Sequence, residues 1–480
     1  MLAERVAAGR WPAALDLPTA SGKTACIDVA LFALAMQADE RVEKRTAPRR
    51  VWFVVDRRIV VDGAFDRAQQ IASKLAAAKD GPLREIADRL RKLAGTERPL
   101  AVARLRGGVF RDDGWARLPS QPAVITSTVD QLGSRLLFRG YGRSHLTAPV
   151  FAGLAANDSL MLLDEAHCSV PFLQTLRAIE RYRGTGWAEA PLPSPFAFVV
   201  MSATPPADIP ENEVFPGPDR NEALDHPVLR QRLDANKRAE LVEVAAKRSA
   251  KSGSDDPLVR EAADRARAFV GAGKRRVAVM VNRVATAGHI ADALSEAAGD
   301  EYEVVLLTGR LRPYERDQIV ERWKPFLKAN APADPLTPII LVTTQCLEVG
   351  ADFSFDALVT EAASLDALRQ RFGRLDRMGI ATTSSAVILI RDRDADPEKA
   401  EPDAVYGGAL AQTWQLLKEK AGATSKVNFG IEALRTALED VEEIEPYLAP
   451  TPDAPVLLPA HLDLLCQTAP APHPEPDVPQ

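Results

Sequence analysis

Short apolar runs that each end in a polar tip recur down this chain, and that rhythm constrains the fold more than any other feature. Val51-Trp52-Phe53-Val54-Val55 stops at Asp56-Arg57, and Ala123-Val124-Ile125 stops at Thr126-Ser127-Thr128. Ser159-Leu160-Met161-Leu162-Leu163 runs into Asp164-Glu165-Ala166-His167, and Phe196-Ala197-Phe198-Val199-Val200-Met201 into Ser202-Ala203-Thr204. The pattern returns with Val277-Ala278-Val279-Met280-Val281 before Asn282-Arg283, then at 304–307, 339–342, 356–360 and 386–390. Such runs, unbroken by polar alternation, are strands buried on both faces, and the stretches between them carry helical spacing. Strand-helix alternation run through twice predicts an α/β protein with two tandem parallel-sheet domains. At 480 residues the chain exceeds one comfortable core. The expected divisions are 1–206, 207–395 and a mainly helical region with a proline-rich tail over 396–480.

The polar tips matter because ligands of open α/β sheets bind beyond the carboxyl ends of the strands. LDLPTASGKT, residues 15–24, is a phosphate-binding loop that leads straight into an apolar helix. There backbone N–H groups and the helix dipole favour an anion. Lys23 would reach the terminal phosphates and Thr24 would ligate magnesium, with Ser21 and Gly22 in the loop itself. The strict pattern asks for glycine where this chain has Leu17. Asp164, at the tip of a buried strand, suits magnesium, and Glu165 suits activation of the attacking water. Gln370-Arg371-Phe372-Gly373-Arg374-Leu375-Asp376-Arg377 supplies arginines to neutralise charge on a γ-phosphate. Arg374 and Arg377, three apart, are expected on one face of a helix, while Arg371 is left a local pairing with Asp376 as its alternative. Arg104-Leu105-Arg106-Gly107-Gly108 fits either a phosphate approach or a surface turn. Thr126-Ser127-Thr128 fits phosphate-backbone contact, helix capping, or both.

Composition sets outer limits. The formal charge of −6, from 60 basic and 66 acidic residues, neither demands nor excludes nucleic acid. Cys26, Cys168, Cys346 and Cys466 stand far apart, so no zinc site or disulfide framework is suggested and a reducing cytoplasm fits. The N-terminus does not read as a signal peptide, and the apolar stretch 31–36 is too short to cross a bilayer, so no membrane partner is expected.

In order, PTASGKT, DEAH, SAT and QRFGRLDR resemble the motor motifs of superfamily 2 helicases, whose two RecA-like domains clamp ATP between them. VVDRRIVVDGAFDRA, LRGG, TSTVDQLGSRLLFRGYGRS, DEAHCSVPF, LLTGRLRPYERD and TQCLEVGADFSFDALVTE narrow the resemblance to the signature helicase of type I CRISPR interference. They look most like its subtype G form, formerly subtype U, and the likeness runs over roughly residues 10–395. The resemblance implies ATP and Mg2+ as cofactors and 3′ to 5′ movement on single-stranded DNA delivered by a CRISPR RNA-guided surveillance complex. By position it makes Thr19, Ser21, Gly22, Lys23, Thr24, Gly350 and Asp352 nucleotide contacts, and Thr24 and Asp164 metal ligands. Glu165, with Asp164, Lys23, Gln370, Arg374 and Arg377, would carry hydrolysis. His167, Ser202 and Thr204 would couple hydrolysis to motion. Asp56, Arg57, Arg106, Gly107, Thr126, Ser127, Asn282 and Arg283 would run beside the strand.

Two departures from the family pattern stand out. Only about fourteen residues precede the phosphate loop and none is glutamine, so either an adenine-reading segment is cut away or base recognition differs. The family's HD nuclease needs a His followed directly by an Asp, and none of His145, His167, His226, His289, His461 and His473 is so followed. A nuclease is therefore not expected in this chain but in a separate or removed domain, with the proline-rich ending as the junction. An RNA helicase, a duplex remodeller or a catalytically weak recruitment module remain the alternatives.

Overall fold

The structure is a computed structural model; it describes residues 1–450 except 18–20, 56–57, 108–112, 143, 165–169, 203–208, 218–224, 246–255, 332–333, 348–352 and 382–383. Two compact units emerge, Met1–Leu224 and Asp225–Pro452 among the described residues. Each is built on a seven-stranded sheet.

The first sheet uses β1 (Ala14–Leu15), β2 (Arg50–Val55), β3 (Ala101–Leu105), β4 (Ala123–Thr128), β5 (Ser159–Asp164), β6 (Phe196–Met201) and β7 (Val214–Phe215) in the order β3-β4-β2-β5-β6-β1-β7. All its pairings are parallel. β2 shows why VWFVV needs no polar alternation. Val51, Phe53 and Val55 pack on one face with Ile27, Leu31 and Leu90, while Trp52 and Val54 pack on the other with Trp115 and Phe151. The Trp52 and Trp115 rings meet edge-on at 5.1 Å. The helical stretch after β2 is two helices, Arg58–Ala77 and Gly81–Ala94. Gly81, at φ 68°, takes the chain through a backbone conformation that other residues rarely adopt.

The second sheet uses β8 (Arg238–Val244), β9 (Arg276–Met280), β10 (Glu303–Leu307), β11 (Ile339–Thr343), β12 (Ala357–Glu361), β13 (Ser385–Arg391) and β14 (Lys426–Asn428) in the order β10-β11-β9-β12-β13-β8-β14. Only β14 runs antiparallel, against β8. Helices Pro257–Gly271 and Val284–Ala298 bury Leu258, Ala262, Ile290 and Leu294 against it. Helices Ala409–Ala421 and Ile431–Ala437 follow, inside the region expected to be mainly helical, with β14 between them. No helix among the described residues is long and apolar enough to cross a membrane.

Register places the candidate site. Val55 pairs with both Thr128 and Asp164, and Met201 with both Asp164 and Leu15. The carboxyl ends of five strands therefore share one edge of the first sheet, and the loop after β1 opens there. In the second sheet Leu307, Thr343, Met280 and Thr360 align in the same way.

Candidate functional site

In the first unit the phosphate loop leaves β1 and ends on a 3-10 turn, Lys23–Ala25, that feeds helix Cys26–Met36. Gly22 has φ 90°, and a Cβ built there meets nothing within 4 Å, so the glycine is required by backbone conformation and faces open space. Ser21 carries a buried Oγ with no hydrogen-bond partner among the described residues. An orphaned hydroxyl in a loop ahead of a helix start fits an anionic ligand, because such groups are otherwise satisfied. Lys23 is 8% exposed, and its Nζ lies 3.8 Å from Asp164 Oδ1 at the tip of β5. The lysine of the loop and the acid of the DEAH run thus converge across the sheet edge. Thr24 is half-buried beside them. Cys26, one turn on, is inert: burial first and the Asp164 carboxylate second push its thiol up to about 12. Ser202, just past β6, is fully buried, with its N–H donating to Leu15 O at 3.1 Å.

Not every expected strand contact faces outward. Thr126 and Ser127 are fully buried in β4, and their hydroxyls donate to Ala103 O and Thr128 O. Arg106 donates from Nε to Asp62 Oδ1 at 2.8 Å, and Arg104 reaches the same oxygen while its guanidinium lies over the Phe65 ring. Asp62 thereby ties helix Arg58–Ala77 to β3, a role with no signal in the sequence. Gly107 follows Arg106 in a turn and accepts from its Nη1 at 3.2 Å.

In the second unit the arginine-rich run departs from the helical expectation. Helix Leu365–Phe372 holds Gln370 and Arg371 and then stops, so Arg374 and Arg377 lie on the following turn instead of one helical face. The turn is bent by long-range bonds. Phe355 N–H donates to Arg374 O, Asp376 N–H to Phe355 O, and Arg377 N–H to Ser354 Oγ at 3.1 Å. Asp376 sits at φ 39° and its Oδ1 accepts from the N–H groups of Ile380 and Ala381. Arg374 is buried, and Gln370 and Arg377 are half-buried.

Arg371 is a hub. Fully buried, it donates to Thr360 Oγ1, Glu361 O, Asn282 Oδ1 and the Tyr406 hydroxyl, all within 2.8–2.9 Å. Asn282 is consumed in this network: its amide donates to Ala362 O, its N–H to Glu361 Oε2, and its carbonyl accepts from Gln345 Nε2. Arg283 is about half exposed and pairs with Asp403 at 2.8 Å. The remaining sequence candidates, Thr19, Asp56, Arg57, Glu165, His167, Thr204, Gly350 and Asp352, lie outside the described residues.

A parallel sheet with a lysine-bearing loop and an acid at its carboxyl edge is an α/β architecture suited to a phosphate ligand. Comparison with known proteins sharpens that class. Residues 273–379 match the family model described as CRISPR-associated nuclease/helicase Cas3, C-terminal. A curated relative, CRISPR-associated nuclease/helicase Cas3 of Haloferax volcanii, is 29% identical over 109 residues, 23% of this chain and 11% of its own length. Among solved structures, the T. fusca Cas3-AMPPNP crystal structure superposes with TM-score 0.60 at 20% identity, covering 93% of this chain and 52% of that one. The "CRISPR RNA-guided surveillance complex, pre-nicking" structure gives 0.54 at 19% identity, with coverages of 92% and 50%. Mycobacterium smegmatis helicase Lhr bound to ssDNA and AMP-PNP gives 0.50 at 17% identity, with coverages of 85% and 47%. The chain thus spans about half the length of the solved structures it matches. The likeness is one of fold: the two sheets are tandem RecA-like domains.

Proposed function

We propose that this chain is the motor portion of an ATP-dependent DNA helicase that translocates on single-stranded DNA in type I CRISPR interference. The observation that carries the reading is the convergence of Lys23 Nζ and Asp164 Oδ1 at 3.8 Å beneath the open Gly22 loop. The family match over 273–379 supports it, because that stretch holds Asn282, Gln370, Arg374 and Arg377.

Bound ATP and Mg2+ supply the phosphoanhydride and its charge screening. Ser21, Gly22 and the N–H groups entering helix Cys26–Met36 hold the phosphates, with Thr19 in the same loop. Lys23 neutralises the terminal groups, while Thr24 and Asp164 orient the cation. Glu165 takes the proton from the attacking water. Gln370, Arg374 and Arg377 would be the groups that stabilise charge on the departing phosphate. Gly350 and Asp352 complete the nucleotide contacts, and His167, Ser202 and Thr204 pass the change toward the strand. Asp56, Arg57, Arg106, Gly107, Thr126, Ser127, Asn282 and Arg283 border the strand path. Thr126, Ser127 and Asn282 are buried, so their part in this reading is to shape the border of the path. Contacts of this kind track phosphates with little base preference.

The domain scheme 1–206, 207–395 and 396–480, 3′ to 5′ polarity, the subtype G relation, a cytoplasmic setting and docking to a surveillance complex belong to the same reading. So does a nuclease lying elsewhere than in this chain. ATP hydrolysis measured with ssDNA, RNA and no nucleic acid tests it. Stimulation by ssDNA is expected, and Lys23→Ala should lower kcat on the order of 100-fold while DNA binding persists. Undiminished DNA-stimulated turnover in that variant would remove the central assignment, and stimulation by RNA alone would change the substrate.

A further inference from the structure

Lys237 belongs to no motif, yet its buried ammonium reaches the start of the second unit's arginine turn. It lies between helix Pro227–Leu233 and β8 and is 5% exposed. Its Nζ donates to Phe372 O at 2.9 Å. That carbonyl ends helix Leu365–Phe372 and also accepts Leu375 N–H at 3.2 Å, so it is the joint between the helix and the turn carrying Arg374 and Arg377.

The lysine is delivered rigidly. Its own N–H donates to Asn428 Oδ1 and its carbonyl accepts Phe429 N–H, both at 2.9 Å. Phe429 stacks on Phe372 with ring centroids 3.9 Å apart and planes at 11°. Backbone, ring and ammonium therefore grip the same helix end from one side. A cation at a helix C-terminus is favourable, but an apolar side chain would fill the space without desolvating a charge. The charge is costly enough that burial pushes the ammonium down to about 8, with Asp376 opposing that shift and Arg377 adding to it. Those two are the charged groups that face it among the described residues.

We infer that Lys237 is a positioning residue for hydrolysis: its ammonium fixes the terminal carbonyl of helix Leu365–Phe372 and so aims the turn that presents Arg374 and Arg377. The inference rests on the reading of those arginines as partners of the γ-phosphate.

The test uses the full chain and compares Lys237→Met, Lys237→Arg and Arg374→Ala with the unmodified protein from pH 7 to about 9.5. Lys237→Met is expected to lower kcat about tenfold or more with KM for ATP little changed. In the unmodified protein kcat should fall as pH rises through about 8, because the ammonium is lost. Stability should move the other way. Between about 8 and the ordinary 10.5 the unfolded lysine binds more protons than the native one, so this group's contribution rises with pH. Lys237→Arg, charged throughout, should shift the alkaline fall in kcat upward. A side chain that merely fills space would alter melting and leave that fall in place. The inference is overturned if Lys237→Met keeps kcat and the same alkaline profile. Should that variant not fold, a flat kcat profile in the unmodified protein overturns it. If Arg374→Ala turns over normally, the reading of the arginines fails and takes the inference with it; if only Lys237→Met does, the inference alone fails.

Discussion

Asp158, ahead of β5, holds together the amino-terminal edge of the first sheet. Its φ is 52°, and the strained turn aims both carboxylate oxygens at one neighbouring segment. Oδ2 accepts from Arg45 Nη2 at 2.7 Å, and Oδ1 from Arg49 N–H at 2.9 Å. Arg45 is 3% exposed, so Asp158→Ala would strand a buried guanidinium. A loss of about 3–5 kcal/mol is expected by chemical denaturation, with Asp158→Asn milder because it keeps the shape. Arg50 beside it donates to the carbonyls of Pro119, Leu154 and Asn157, and burial lowers its guanidinium to about 10. A small cluster of charge thus sits at the sheet edge opposite the Gly22 loop. Arg45 and Arg49 carry no sign of this in the sequence, because the acid that pairs with them is more than a hundred residues away.

At the scale of elements, Gly430 decides how helix Ile431–Ala437 seats. A Cβ there would stand 2.2 Å from Ala235 O, a backbone atom that cannot swing aside. Gly430→Ala should therefore destabilise the second unit by about 1–3 kcal/mol, read as a lower melting temperature, and should disturb the Asn428–Lys237 contact close by. The main strands were legible because each is a continuous apolar run, and burial on both faces of a parallel sheet demands that pattern. β1 and β7 were not, since each has two residues and becomes a strand only by pairing across the chain, Ala14 with both Val200 and Val214. The helix start after Gly22 and the place of Asp164 at a strand tip were legible for a local reason: each is written in consecutive residues. Spacing alone misplaced Arg374 and Arg377 on a helix, because the bonds that end that helix come from Ser354, Phe355 and Lys237. Lys237 itself left no trace, as a single lysine in a loop looks solvated until its burial is known.

For the whole molecule, the two units are each closed around their own sheet, and the division places Val214–Phe215 with the first and Ala409–Ala437 with the second. The residues beyond 395 are more than an appendage to the second sheet. Lys426, Val427 and Asn428 lie against Glu240, Ala239 and Arg238 of β8. Remove them, as a chain ended at 395 would, and β8 becomes an edge strand with a row of unanswered N–H and C=O groups. Such an edge is a template for any other strand, including that of a second copy. Light scattering and size exclusion should find a 1–395 protein self-associating where the longer chain does not. The short antiparallel strand acts as a stopper against sheet-to-sheet growth, so part of what this region contributes is keeping the second sheet from joining that of another copy.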